Sequence, residues 1–574
     1  MSRTGHTLRA LSERLARPSR RMRNRLEARR SRLGTRPVPA EKLPEPVLIG
    51  DADRGHALLA GHWPVRGQDV MIAPGSIWAA SLPEPGLEAE RQACAWLDDL
   101  AAIGNRAARG LAQSWTQDWI RRFGNGAGPG WTPEIAGRRA QHLSSHCSFL
   151  TEGLDRTAAN RMWRTIAAQQ RYLSKTWRDA PDGLPRLRAL AGLVWSGLAM
   201  PHPEHRAALA ELGAAAESLI DMEGATPSRS PEDLAEIVML LIWTARALEN
   251  SEQSAAPSHL AAIVRGVPIL RLLRLGDGTL PRFHGGGPCD AARIDKALAE
   301  LRTGVGDKPK LPMGYARLTG GRAVVLMDGA TPPTGPWAMG AHASALSFEL
   351  STGRIPIVVN VGPGRSFGPA AALASRQTAA HSTLEIDGQS SARIDARGIA
   401  ARTFGARLTA GPGLVSVRQA QDMSGQWLLA TQDGYVASHG LMHERRLFID
   451  ARGTELRGED ILTTPEARAR AQFDRRARDG RLTFALRFHL HPAIGAEHHR
   501  EDDVIILKLP TGETWMLRTS GGTLELEESV HFDPARTEPR RAVQVVVRSE
   551  VVEYLGQAIW SLARLSEASA ATDT

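Results

Sequence analysis

The run Gly340-Ala-His342-Ala-Ser344-Ala-Leu-Ser-Phe-Glu349, followed by Ile357-Val-Val-Asn360-Val-Gly362 and Ala380-His381-Ser-Thr-Leu-Glu-Ile-Asp387-Gly388, reads as short consecutive strands. Apolar and β-branched residues fill each run, and Gly or Asp-Gly closes it. His342, Asn360 and His381 fall at strand ends, 18 and 21 residues apart. Strands of one sheet can bring such positions together, and imidazole is the commonest protein metal ligand. Two readings follow for the trio: a structural zinc site, or two core histidines held by hydrogen bonds.

The same strand pattern continues outward from this block. After Lys308-Pro-Lys-Leu-Pro312 come Ala323-Val-Val-Leu-Met327, Leu414-Val-Ser-Val-Arg418, Trp427-Leu-Leu-Ala430, Val504-Ile-Ile-Leu-Lys508 and Ala542-Val-Gln-Val-Val-Val547, with turns such as Asp433-Gly434 between them. Roughly a dozen strands predict a large antiparallel β-sandwich. Before the block the period changes. Apolar residues recur at three- and four-residue spacing over 88–112, 135–152, 157–178, 186–199, 203–220, 231–249 and 258–275, which predicts an (α/α) helical toroid or bundle. The expected organisation is α+β and multidomain: a basic, disordered tail over 1–45, the toroid over 46–308 and the sandwich over 309–574.

Composition narrows the function classes. The net charge of +9 invites a nucleic-acid reading, but residues 1–36 alone hold twelve arginines and two glutamates, so the remainder is close to neutral. The tail, with Leu8, Leu11, Leu15, Met22 and Leu26 among its arginines, is either a solvated extension or a basic amphipathic arm for an anionic membrane or RNA. Apolar runs such as Ile237-Val-Met-Leu-Leu-Ile-Trp243 fall well short of the ~20 residues that span a bilayer. Cys94, Cys147 and Cys289 are odd in number and far apart, which argues against a disulfide framework or thiolate zinc site. With no apolar leader, the residues favour the cytoplasm.

Together these runs resemble the heparinase II/III family of polysaccharide lyases. His342-Ala-Ser344-Ala-Leu346-Ser-Phe-Glu349, Asn360-Val-Gly362 and His381-Ser-Thr383-Leu384 are similar to its opening sandwich block; His443-Glu-Arg445 and Gly458-Glu-Asp460 are similar to the strand pair that follows. Ser145-His146-Cys-Ser-Phe-Leu150 and Ser228-Arg229-Ser-Pro231 resemble two toroid segments that face the cleft. The resemblance implies β-elimination on a uronic-acid polysaccharide, with removal of the C5 proton and expulsion of the C4 oxygen. It also implies His146 as a catalytic residue, the other reading being a cap or core histidine between helices, a zinc held by His342, Asn360 and His381, and a cell-envelope location. Arg229, in a polar inter-helix segment, either binds a carboxylate or sulfate of the substrate bidentately or is a solvated surface arginine.

Three departures set activity in question. Gly340 stands where the family has a catalytic histidine, no tyrosine follows Pro231, and Asn360 and Ser344 replace carboxylates. The alternatives are therefore an inactive glycan-binding or scaffold protein of the same fold, or a membrane- or nucleic-acid-associated protein acting through the tail. Arg445 reads as a sheet-surface residue, His489 and His491 as one polar strand face, and Gly285-Gly-Gly287 after His284 as a flexible interdomain loop.

Overall fold

The structure is a computed structural model that describes residues 18–34, 37–48, 50–72, 76–83, 86–302, 306 and 310–565. The arginine-rich residues 1–17 lie outside the described residues. Residues 18–30, part of the expected disordered tail, are helical and rest on the toroid. Asn24, Ala28 and Ser31 are buried there, Arg23 pairs with Asp179, and Arg171 Nε donates to the Ser31 carbonyl at 2.6 Å. The opposite face leaves Met22, Leu26 and Leu33 exposed among Arg21, Arg25, Arg29 and Arg32.

The toroid is built from antiparallel helices whose ends obey local chemistry. The stretch expected as one helix over 88–112 is three: Gly86–Ala93, Trp96–Ile103 and Arg106–Phe123. Cys94 takes φ 61°, breaking the first junction, while Gly104 at φ 68° ends the second helix. Asn105 then caps the third by accepting the Ala108 N–H at 2.9 Å. Glycine as a left-handed stop followed by an asparagine N-cap is a readable boundary. The helices Pro133–Ser145 and Leu184–Ala199 cross at Gly137 and Gly192, where a Cβ on Gly192 would come 2.1 Å from the Gly137 carbonyl oxygen. Any larger residue would force the pair apart and open the core they share.

Among the described residues the C-terminal half is a 16-stranded antiparallel assembly. Its main path runs Val415–Gln421, Gly425–Gln432, Met442–Asp450, Glu455–Thr463, Leu555–Arg564, Arg540–Val552, Arg481–Leu490, Ile355–Val359, Phe348–Thr352, Ala323–Asp328 and Tyr315–Gly320. Phe348, from the opening block, stacks on Trp560 with ring centroids 5.7 Å apart, and Phe488 meets the same indole edge-on at 4.8 Å. Arg445 is not on the surface: it is fully buried, donating to Asp460 at 2.8 Å and to the Leu346 and Ser382 carbonyls at 2.6 and 3.1 Å. It shares an inward face with Leu447 and Ile449, so strand alternation, not polarity, decides its placement.

The two halves meet through polar ties. Arg317 donates to the Leu272 and Arg274 carbonyls at 2.7 and 2.8 Å, and the Gly276 N–H reaches Ser351 Oγ at 3.0 Å.

Candidate functional site

Arg229 sits at φ 50° just before the helix Pro231–Asn250, in a turn that aims its guanidinium across the domain boundary. It reaches Asp328 at 2.6 Å and the carbonyls of Met313, Gly314, Ala330 and Thr331 at 3.0–3.3 Å. All its nitrogens are thereby occupied, and only 11% of the side chain is exposed. In this arrangement the side chain expected to face a substrate acts as an interdomain clamp. Burial would raise the Asp328 carboxyl, but Arg229 and His284 together hold it well below the usual carboxylate range.

Asp328 anchors a chain of hydrogen bonds that leads into the opening block. Ser344 Oγ donates to its Oδ2 at 2.7 Å, and His284 Nε2 lies 3.4 Å from the same oxygen. His284 Nδ1 in turn accepts the His342 backbone N–H at 3.2 Å. The imidazole of His342 meets His381, Nδ1 to Nε2, at 3.0 Å, and His381 Nδ1 bonds the Gln377 carbonyl at 2.7 Å. A carbonyl only accepts, so His381 Nδ1 carries the proton, His342 Nδ1 donates to His381, and the His342 Nε2 holds a lone pair. Burial pushes His381 down to about 4 and His342 well below its usual value, so both are neutral near pH 7. The spacing argument brought His342 and His381 together; His284 and Asp328, which orient them, carried no sequence signal.

Asn360 has a different task. Its Nδ2 donates to Glu349 at 3.2 Å and to the Arg282 carbonyl at 3.3 Å, while its Oδ1 accepts the Ser382 N–H at 3.0 Å. The donor set does not fit zinc as arranged. The two imidazoles bond each other, both polar atoms of Asn360 are engaged, and the Asp328 carboxylate is held by Arg229. Among the described residues no three or more His, Cys, Asp or Glu side chains are grouped to hold a metal.

His146, expected as a catalytic residue, is likewise engaged within the protein. His146 ends the helix Pro133–Ser145, is 2% exposed, and points Nε2 at Asp98 at 2.8 Å; His142, one turn earlier, shares the same oxygen at 2.9 Å. It is a packing histidine between helices. Three of the four tyrosines are buried and donate to carbonyls: Tyr172 to Trp131, Tyr435 to Leu384, and Tyr315 to Arg229 itself. Tyr554 packs on Phe473 at 5.3 Å in a sandwich hairpin. At Gly340 a Cβ would meet nothing nearer than the His284 carbonyl at 3.6 Å, so packing does not exclude a side chain there.

The Gly285–Gly287 loop is not the free linker expected from its composition. Its Gly287 N–H donates to Glu232 at 2.8 Å, and a Cβ on Gly285 would sit 3.5 Å from Arg365 and 3.9 Å from His342 Nε2. The loop therefore lies over the one unengaged nitrogen of the histidine pair. His489 bonds Ser529 and the Ala379 carbonyl at 2.8 and 2.9 Å, while His491 lies past the strand end against His531 at 5.4 Å.

A helical toroid followed by a large antiparallel sandwich is the fold the chain shares with solved polysaccharide lyases, and the chain belongs to the heparinase II/III-like family. Residues 306–567 match the family described as Heparinase II/III-like, C-terminal. FtsZ-localized protein C of Caulobacter vibrioides (strain NA1000 / CB15N) is 32% identical over 530 residues, covering 91% of this chain and 89% of that protein. Among solved structures, heparinase III superposes with a TM-score of 0.69 at 12% identity, over 97% of this chain and 92% of that one. A mutant of heparan sulfate lyase HepC from Pedobacter heparinus gives 0.58 at 14% identity, over 94% and 87%. At these identities the structural likenesses establish the fold.

Proposed function

We propose that this protein uses the lyase fold without lyase chemistry, as a scaffold that holds other components in place. The observation that carries this reading is the locked seam: Arg229 is fully bonded to Asp328 and four carbonyls, and Tyr315, the tyrosine at that seam, is buried with its hydroxyl donating to the Arg229 carbonyl. Proton abstraction from a uronate needs a base, an acid and a charge-neutralising group that all face the substrate. The likeness of the fold to polysaccharide lyases supports a glycan partner. The relative named for localisation to FtsZ supports a place beside FtsZ assemblies, since it matches nearly the whole chain. The helix over 18–30, with Met22, Leu26 and the exposed arginines Arg21, Arg25 and Arg29 outward, supports contact with an anionic membrane.

Incubation with heparan sulfate, alginate and other uronate polymers tests the reading. We expect no unsaturated, ultraviolet-absorbing product from any of them. Product formed by the wild type and lost in His342→Ala would overturn it. Sedimentation with FtsZ polymers tests the partner, with the chain expected in the pellet only when FtsZ is polymerised.

A further inference from the structure

The sheet path ends on the strand Val415–Gln421, which pairs with Gly425–Gln432 and, among the described residues, with no other strand. The bonds at its two ends set which residues face that neighbour. The Asp433 N–H donates to the Leu414 carbonyl at 3.2 Å, and the Asp422 N–H to the Gly425 carbonyl at 3.0 Å. Antiparallel pairing alternates bonded and outward residues. Ser416, Arg418 and Ala420 therefore bond to the neighbour, while Val415, Val417, Gln419 and Gln421 turn N–H and C=O away from the sheet. None of those outward groups is bonded by another part of the described chain.

No part of the described chain covers this edge. Ser416 and Arg418 through Gln421 are exposed, and Leu414 and Met423, just beyond its two ends, are 53% and 99% exposed. Proline and bulges, which blunt natural edges, are missing from Val-Ser-Val-Arg-Gln-Ala-Gln, and its one charge is Arg418. Arg446 and Arg457, on the same sheet face, pair with Glu444, Glu459 and Glu455. Arg418 has no such partner among the described residues. From the inside the strand is braced. Gln419 Nε2 and Gln426 Oε1 reach the Arg317 carbonyl and the Thr319 N–H of the other terminal strand at 3.1 and 2.8 Å, which preorganises the edge.

We propose that Val415–Gln421 is a docking edge for an extended acidic peptide of another protein, which adds as one more strand and sets a carboxylate opposite Arg418. Backbone bonds to Val415, Val417, Gln419 and Gln421 supply the affinity, and Arg418 supplies the selectivity. Arg418 holds a non-bonded position towards the incoming strand, where facing side chains come closest. A second copy of this chain meets the edge less well, because Val415–Gln421 has no carboxylate to offer Arg418.

The test uses the full chain and two fluorescein-labelled heptapeptides of alternating threonine and valine, one with glutamate at its centre and one with lysine, read by fluorescence anisotropy. The glutamate peptide is expected to bind about tenfold more tightly than the lysine peptide. Exchange of the amides over 415–421 is expected to slow when it is bound. Arg418→Glu is expected to reverse the order of the two peptides. Val417→Pro, which removes an outward N–H from an edge strand that tolerates proline, is expected to weaken both by about tenfold or more. Arg518→Glu, exposed on the same sheet face, is expected to leave binding unchanged. An unaltered unfolding midpoint checks that each variant is folded, and the exposed Arg418 side chain gives a readout that does not depend on the packing of Val417. Binding of neither peptide overturns the proposal, as does an order that Arg418→Glu leaves unchanged. A dimer in sedimentation that Val417→Pro dissolves also overturns it, by giving the edge to a second copy.

Discussion

Replacing Arg229 with alanine separates a locked seam from a working cleft. In the wild type the guanidinium satisfies Asp328, which is 1% exposed, and four carbonyls. Removing one partner of a buried ion pair costs roughly 3–5 kcal/mol, because the remaining charge is left without compensation. His284, 3.4 Å away, offers Asp328 one substitute donor, which sets the expectation near 3 kcal/mol, about the lower end of that range. The variant also inverts a pH dependence. With Arg229 present, Asp328 titrates below its unfolded value, so its contribution exists above about pH 4 and fades as pH falls. Without Arg229, burial dominates and raises the carboxyl, so the variant's deficit shrinks as pH is lowered from 7 towards 5. Denaturant unfolding at both pH values measures this, and Asp328→Asn added to Arg229→Ala should recover part of the loss. A variant within about 0.5 kcal/mol of wild type, or one that keeps its stability and loses a uronate-cleaving activity, would refute the clamp.

Three further outcomes follow. His381, His259, His439 and His491 are each pushed down to about 4 by burial. Unfolding therefore takes up protons below about pH 6.5, so stability is full above that value and lost as pH falls, by up to roughly 3 kcal/mol per histidine; an unfolding midpoint that stays flat between pH 7 and 5 would contradict this. Metal analysis should find no stoichiometric zinc that disappears in both His342→Ala and His381→Ala, and one equivalent lost in each would show that the pair opens to bind an ion. Met22→Asp with Leu26→Asp should reduce flotation with phosphatidylglycerol vesicles and leave phosphatidylcholine vesicles unaffected, whereas equal flotation of variant and wild type on the anionic vesicles removes the helix from membrane contact.

The architecture was legible because period and punctuation are local. The change from three-four spacing to strand alternation near residue 310 placed the two halves, and Gly104-Asn105 was a readable boundary inside the expected 88–112 helix. The histidine pair was legible for the same reason, since both residues end strands of one small block. The fates of His146 and Arg229 were not. Each is decided by a carboxylate 48 or 99 residues away, and a polar residue reads alike whether it faces solvent or a buried partner. Arg445 was misplaced because its type outweighed its position: it alternates in phase with Leu447, and that phase pointed inward.

The buried bonds around Asp460 also govern how this chain leaves the ribosome. The Trp560 indole N–H donates to Asp460 Oδ2 at 3.0 Å across 100 residues, and Leu555–Arg564 is the strand that pairs with Glu455–Thr463. Until that strand emerges, the sheet lacks a central member and Phe348 lacks the indole it stacks on. At about 5–20 residues per second, translation from residue 340 to residue 560 takes about 10–45 s. Through that interval the toroid residues have all been made, while the nascent sandwich carries an open edge and a half-covered charge, the kind of surface that chaperones retain and proteases cut. Synthesis that stalls before Trp560 should therefore yield a folded toroid with an unclosed and rapidly degraded second half.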